Sequence, residues 1–399
     1  MKKFKIGILG TGEFADCFIP LFKAHPFIDE VVLCDSDKTL LQTKADKHKV
    51  PRSFCSIDEL CMSDIDAVAI FTNRYTHAPL AIQALKAGKN VYSAVPAGIT
   101  VAELEELADT VNKTGLLYMM GETSYYYPCA IYCRKRFKEG AFGKFVYGEG
   151  EYYHEFDHGF YKVFQREGEN WKKHAGIPPM LYPSHSVAMV LSVTGARITH
   201  ASCLGFKDSH EDGLFRKGVN IWDNVFSNQT ALCRTSDGGI CRINEFRRVG
   251  IGSKVGACIY GTEGSYEEQA LAKVWRNKKG PPNDITDMLT CDNIPADKKE
   301  IQGLDKTLAD DYFKGTSKVH DVERLPKEFA GLSNGHFGSH QFLVDDFAKA
   351  MAQGVLPPNN IWEAARYCLP GIIAHESSKQ EGKMLAVPDL GDPPTVTHF

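Results

Sequence analysis

Residues suited to moving a proton occur at two places in this chain. Tyr182 and His185 stand three apart in PPMLYPSHSV (178–187), where prolines and a tyrosine precede an apolar run. Glu122 follows two methionines in MMGETSYYY (119–127). Pro183 suits the first position of a helix, so His185 is expected about two residues in, with Tyr182 just before it. The positive end of the helix dipole disfavours an imidazolium, which leaves His185 neutral and able to accept a proton. A phenol beside it would hydrogen-bond the same reacting hydroxyl and help hold charge on its oxygen. The plainer alternative is a helix start with no chemistry attached. Glu122, at the carboxyl end of a strand, is read either as a ligand of substrate or cofactor or as a structural acid.

The elements that must position these residues begin at the amino terminus. FKIGILGTGEFA (4–15) is an apolar strand followed by Gly10, Thr11, Gly12, Glu13, Phe14 and Ala15, then by the helical pattern DCFIPLFKAH. The next strand, EVVLCD, closes on Asp35 and Ser36. A G-x-G-x-x-A set between strand and helix, with an acid ending the following strand, is a dinucleotide-binding fingerprint. Gly10 makes the tight turn, Gly12 admits a diphosphate and Ala15 keeps the helix against the sheet. The helix start supplies unpaired N–H groups for the phosphates. Asp35 would accept hydrogen bonds from the adenine ribose, so NAD is expected and not NADP.

Strands and helices then alternate: DAVAIFT (66–72), HAPLAIQALKAGK (77–89), NVYSAVP, TVAELEELADTVNKTG (100–115) and LLYMMGET (116–123). This predicts an α/β Rossmann domain with a doubly wound parallel sheet over residues 1–123. Ligands of such sheets lie beyond the carboxyl ends of the strands, where Thr72, Asn73, His77, Ala94, Pro96 and Glu122 fall. Residues 124–399 read as an α+β domain with a largely antiparallel open sheet. Its strands are GKFVYGEGEYYHEF (143–156), ITHASCLGF (198–206), a hairpin over 228–250 turning at SDGG, and VGACIYGTEGSYEEQ (255–269). SHSVAMVLSVTG (184–195) is the one clear helix between them, 270–335 is a polar loop excursion, and two late helices follow at 339–354 and 361–382. The last helix is expected to pack back on the Rossmann domain.

Composition excludes several classes. A formal net charge of −4 supplies no basic field for nucleic acid or anionic membrane, and RKRF (134–137) and FRRVG (246–250) read as solvated faces. No apolar run reaches the ~18 residues of a membrane span, and the glycine-broken start does not fit a signal peptide. The 12 cysteines lack any C-x-x-C pair and sit in apolar runs, which suits free thiols in a reducing, cytoplasmic compartment. His154, Asp157 and His158 in YYHEFDH have metal-like composition without a defined fourth ligand, so no metal is expected. The aromatic run SYYYP (124–128) reads as packing at the domain joint.

A Rossmann domain followed by such an α+β domain resembles the Gfo/Idh/MocA oxidoreductases over nearly the whole chain. TNRYTHAPLAIQALKAGKNVYSAVPAG (72–98) is similar to that family's T-P-N-x-x-H helix, G-K-x-V strand and Glu-Lys-Pro signature. Here the signature reads Ala94-Val95-Pro96, so the family's lysine is absent. The family's D-x-G-x-H becomes Leu181-Tyr182-Pro183-Ser184-His185, keeping the histidine and losing the aspartate. MMGETSYYY and YPSH resemble the branch containing NAD-dependent glycoside hydrolases of the α-N-acetylgalactosaminidase type. GSHQFLVDDF (338–347) and PGIIAHESSKQEG (370–382) are similar to that branch without a role for their residues.

By that resemblance Glu122, Tyr182 and His185 replace the missing Lys–Asp pair. The substrate is expected to be a carbohydrate or glycoside, the assembly a dimer or tetramer of identical chains. The leading expectation is NAD-dependent oxidation of a secondary hydroxyl, at C3. The alternative is redox-neutral glycoside hydrolysis through oxidation, elimination, water addition and re-reduction. A non-catalytic NAD-binding regulator is a third class, against which the retained Tyr182, His185 and Glu122 argue.

Overall fold

Six short strands with apolar cores build the first sheet: β1 (Phe4–Leu9), β2 (Ile28–Cys34), β3 (Ser53–Phe54), β4 (Ala67–Ile70), β5 (Asn90–Ser93) and β6 (Tyr118–Met120). The computed structural model describes residues 3–156, 164–165, 168–293 and 314–393. The strands pair in parallel in the order β3-β2-β1-β4-β5-β6. Order reverses beside β1, and the crevice at that switch point is where such sheets take a ligand. Helices cover both faces, among them His77–Lys86 and Val101–Thr114. The second opens with a capping box, in which Thr100 and Glu103 satisfy each other's backbone N–H groups.

The expected helix over DCFIPLFKAH is two pieces, Glu13–Asp16 and Ile19–Ala24. Pro20 is the physical reason, since it has no N–H to offer the Asp16 carbonyl.

The second sheet has nine strands: β7 (Phe145–His154), β8 (Ile198–Lys207), β9 (Phe226–Thr235), β10 (Ile240–Phe246), β11 (Ser253–Gly261), β12 (Gly264–Glu268), β13 (Lys273–Asn277), β14 (Asn283–Asp284) and β15 (Leu385–Ala386). Their order is β14-β13-β12-β11-β7-β10-β9-β8-β15, antiparallel except for the β7–β10 pair. The expected open antiparallel sheet and its SDGG hairpin are present. The polar stretch after 270 is not all loop, because β13 and β14 extend the sheet edge; residues 294–313 of it lie outside the described residues.

Helix Pro128–Lys138 was not expected. Its buried face, Cys129, Ala130, Tyr132 and Cys133, has helical spacing, while the charged RKRF run after it masks the pattern. Tyr126 and Tyr127 do pack at the joint, on Phe342 and Phe337 with ring centroids 5.1 and 4.8 Å apart.

One apolar cluster runs without a break from Val68, Ile70 and Val91 of the first sheet to Val187 and Val190 of helix Ser184–Thr194 and Ile243 of the second sheet. Helix Ser339–Gln353 instead packs Phe342, Leu343 and Phe347 against Phe4, Ile6 and Phe22 on the other face of the Rossmann sheet. The last helix, Ile361–Ser378, lies between the two sheets rather than on the Rossmann domain alone; the Asn359 carbonyl before it accepts from Met120 N–H (2.8 Å) and covers the β6 edge. All 12 cysteines are free thiols.

Candidate active site

Helix Ser184–Thr194 lies directly on β7. A Cβ on Gly150 would stand 1.9 Å from the Ser186 carbonyl oxygen, so only glycine permits this approach. Pro183 occupies the position before the helix and Ser184 opens it, one residue later than expected. His185 is still the second helical residue, with Tyr182 in the turn before it, and the αL Gly195 (φ 72°) ends the element.

Glu122 reaches His185 from the loop after β6. Its Oε1 lies 2.6 Å from His185 Nδ1 and accepts from Ser124 N–H (2.9 Å) and Ser124 Oγ (2.7 Å). Burial alone would raise this carboxyl, but the imidazole and the Ser124 hydroxyl outweigh it and hold Glu122 below its ordinary value. An ionised carboxylate accepts only, so Nδ1 of His185 carries the proton. Nε2 then faces the Tyr182 hydroxyl at 3.3 Å. Glu122 is fully enclosed, at 0% exposure, which corrects the reading of it as a direct substrate or nicotinamide-ribose ligand. It stands behind His185 and orients it.

Further residues, which sequence reasoning missed, complete the wall. The Tyr152 ring lies 5.0 Å from that of His185 and 5.7 Å from that of Tyr182, and its hydroxyl meets His154 Nδ1 at 2.6 Å. The Arg74 guanidinium stands 4.6 Å from the Tyr182 ring centre. Burial raises the Tyr182 phenol above its ordinary value, and Arg74 pulls the other way. Arg247 stands 5.0 Å from the Tyr152 ring and pairs with the buried Glu245 at 3.1 Å. FRRVG is therefore not a solvated face: Arg247 is buried, and Arg248 pairs with Asp212. The one available signal was alternation in β10, which turns Glu245 inward. Burial, with added repulsion from Arg247 and Arg74, holds His154 neutral. Asp157 and His158 lie outside the described residues.

The dinucleotide fingerprint folds as expected at its glycines. Gly10 has φ 86°, and a Cβ there would sit 2.9 Å from the Phe71 carbonyl carbon. A Cβ on Gly12 would meet nothing within 4 Å, which leaves open space at the start of the following helix, fitting a diphosphate. Asp35 Oδ2 accepts from Thr11 N–H (2.7 Å) and Thr11 Oγ1 (3.0 Å), while Oδ1 accepts from Asp37 N–H (3.0 Å). The acid thus braces the glycine loop as well as closing β2. Thr11 and Ala15 are buried, Ser36 is exposed, and Phe14 packs on Phe18 and Phe71.

Thr72 and Asn73 stand at the end of β4, with Thr72 Oγ1 2.7 Å from Thr76 Oγ1 and Asn73 exposed. His77 differs from its expected role. It is buried, with Nδ1 2.9 Å from the Pro96 carbonyl and Nε2 3.0 Å from that of Thr72, and burial lowers it to about 4. It clamps the β4 end to the Ala94–Pro96 segment instead of facing a ligand. Ala94, Val95 and Pro96 are buried, and the Val95–Pro96 peptide is cis.

Residues 4–122 match the family model GFO_IDH_MocA, described as an oxidoreductase family with an NAD-binding Rossmann fold. The match spans the Rossmann domain, and the cofactor is NAD. Among curated relatives, a glycosyl hydrolase family 109 protein of Saccharopolyspora erythraea is 22% identical, the match covering 97% of this chain and 83% of that one. One of Shewanella amazonensis is 30% identical over 48% of this chain and 44% of its own. Among solved structures, levoglucosan dehydrogenase with NADH and levoglucosan superposes with a TM-score of 0.73 at 17% identity, covering 97% of this chain and 100% of the other. Myo-inositol 2-dehydrogenase from Lactobacillus plantarum gives 0.69 at 16% identity, with 97% and 100% covered. Among the described residues no helix is long and apolar enough to cross a membrane, and no group of three or more metal-ligating side chains occurs.

Proposed function

We propose that the protein oxidises a secondary hydroxyl, at C3, of a sugar or glycoside, and that the Glu122–His185–Tyr182 chain manages the proton. NAD, when bound, supplies the hydride acceptor. The single observation that carries the reading is the 2.6 Å Glu122–His185 contact, which fixes the imidazole with Nε2 as its accepting atom. The hydroxyl proton passes to Nε2, and the buried carboxylate stabilises the imidazolium that results. Tyr182 hydrogen-bonds the reacting oxygen and shares the charge that develops there, assisted by the adjacent Arg74. This division of labour replaces the lysine and aspartate of the wider family. The levoglucosan and inositol dehydrogenases with the same fold support a polyhydroxylated ring as substrate.

The relatives named glycosyl hydrolase family 109 favour a second reading that shares this first step. A C3 ketone acidifies the C2 proton, the C1 substituent leaves by elimination, and water addition with re-reduction restores the ring. Purified protein, assayed on nitrophenyl glycosides with and without added NAD+, separates the two. Net NADH marks the dehydrogenase, and nitrophenol release without net NADH marks the hydrolase. Silence on every glycoside and free sugar, with NAD+ bound, leaves the regulator.

We also propose a homo-oligomer, a dimer or tetramer, joined through the outer face of the second sheet. Leu204, Phe206, Leu232 and Ile240 are exposed there on one face of adjacent strands.

A further inference from the structure

Glu245 is fully enclosed on the inward face of β10, and the proton transfer proposed above does not use it. Strand register sets it beside Tyr152 of β7 on one side and Gln229 of β9 on the other. Its Oε2 accepts from the Arg247 guanidinium at 3.1 Å, and that guanidinium stands over the Tyr152 ring. Its Oε1 lies 2.5 Å from Ser186 Oγ, in the first turn of the helix that carries His185. Ser186 is also where that helix meets the sheet, since its carbonyl abuts Gly150 of β7. Glu245 therefore joins the turn holding His185 to the arginine that backs Tyr152.

The proton count at Ser186 gives this joint two states. Its one hydroxyl proton has two acceptors within reach, Glu245 Oε1 and the Pro183 carbonyl at 3.0 Å. With Glu245 protonated, the acid donates to Ser186 and Ser186 donates to Pro183, which ties the turn along its length. With Glu245 ionised, Ser186 must turn to the carboxylate, and the Pro183 carbonyl keeps only the Val187 N–H at 2.9 Å. Burial pushes Glu245 up to about 8 against the pull of Arg247 and Ser186, and Glu122 adds to the rise. Tyr152 is the other titratable group set against it, and His375 stands behind Gln229 at 3.1 Å.

We propose that Glu245 is a positioning residue, which through Ser186 and Arg247 sets the first turn of the His185 helix against the Tyr152 ring. Loss of its proton to solvent releases Ser186 from Pro183 and neutralises Arg247, so the seat of the imidazole changes while the imidazole does not. The inference rests on the reading of His185 as proton acceptor, but its first readout needs no turnover.

The test follows the His185 ring by NMR across pH 8 in protein carrying 13C-labelled histidine, the signal being identified by its loss in His185→Ala. The wild type is expected to show a step near pH 8. Glu245→Gln should remove it, because the amide donates to Ser186, accepts from Arg247 and cannot ionise. Ser186→Ala leaves the Glu245–Arg247 pair in place and is the second variant if the first fails to fold. There the step should shrink, and kcat should fall about tenfold with KM and NAD+ affinity kept, short of the ~10²-fold that a 1 Å misplacement costs. A wild type without the step overturns the proposal, as does a step undiminished in either variant or a normal kcat in Ser186→Ala. A wild type that turns over no sugar or glycoside counts against the proposed reaction instead, and the NMR result still decides the role of Glu245.

Discussion

Glu122 and His185 meet at 2.6 Å with the carboxylate fully enclosed and the imidazole between it and Tyr182. An enclosed carboxylate cannot touch a substrate, yet it decides which nitrogen of the ring accepts a proton. Glu122→Gln keeps the shape and an acceptor for Nδ1–H while removing the charge that stabilises an imidazolium. The turnover rate should fall by about 10²-fold with melting temperature and NAD+ affinity kept. Parallel losses of stability and rate would mark Glu122 as a structural acid.

His185→Ala removes the proposed base. Single-turnover NADH formation should slow by roughly 10²–10⁴-fold, with little change in NAD+ affinity. Tyr182→Phe should cost less, since Nε2 survives and only the shared hydrogen bond is lost. A histidine variant with near-normal single-turnover rates would reduce His185 to a helix-start residue.

Asp35 should make the protein prefer NAD+ over NADP+. Its carboxylate already accepts three hydrogen bonds at the loop, and Ser36 and Asp37 beside it supply no cation for a 2′-phosphate. Two titrations followed by fluorescence decide the matter, and tighter NADP+ binding would refute it. Asp35→Ala should weaken both cofactors, because Thr11 loses its brace.

Sedimentation should find an assembly larger than one 44.3 kDa chain at micromolar concentration. Leu232→Lys, on the exposed face of β9, should shift it toward monomer without unfolding it. A monomeric wild type would remove the proposed interface.

Acid should destabilise the protein before its carboxylates are titrated. Burial lowers His77, His320 and His375 to about 4 from 6.5. Below pH 6.5 the unfolded chain takes up protons that the folded one refuses, so stability falls as pH drops toward 4. Each histidine contributes a slope of roughly 1.4 kcal/mol per pH unit across that window. Urea unfolding at several pH values measures the slope, and His375→Gln should reduce it by about a quarter, because burial holds His154 neutral alongside these three. A flat profile between pH 6.5 and 5 would show these imidazoles to be protonated in the fold.

What the sequence revealed follows from how locally each feature is encoded. Gly10, Gly12, Ala15 and Asp35 are read from adjacent strand and helix patterns, because a turn and a close approach depend on residues next to one another. Helix 184–194 is announced by Pro183 and Gly195 for the same reason. The wall around Tyr182 is different: Arg74, Tyr152 and Arg247 arrive from three distant segments, and nothing local ties an arginine in FRRVG to a tyrosine ring. Glu122 could be singled out, but its partner lies sixty-three residues away, so only tertiary packing turned it from a ligand into an orienting group. His77 shows the converse, a residue at the right strand end whose ring points at backbone carbonyls.

Gly150 has a consequence for how this protein can be altered. With the Ser186 carbonyl where its side chain would be, the helix bearing His185 has no spacer between itself and β7. Imidazole, Tyr152 and His154 therefore travel as one casting, and a change in what the cleft accepts must come from the loops and rims around them. The same contact makes position 150 a place where a single added methyl group would displace His185 while leaving Glu122, Tyr182 and His185 themselves unaltered.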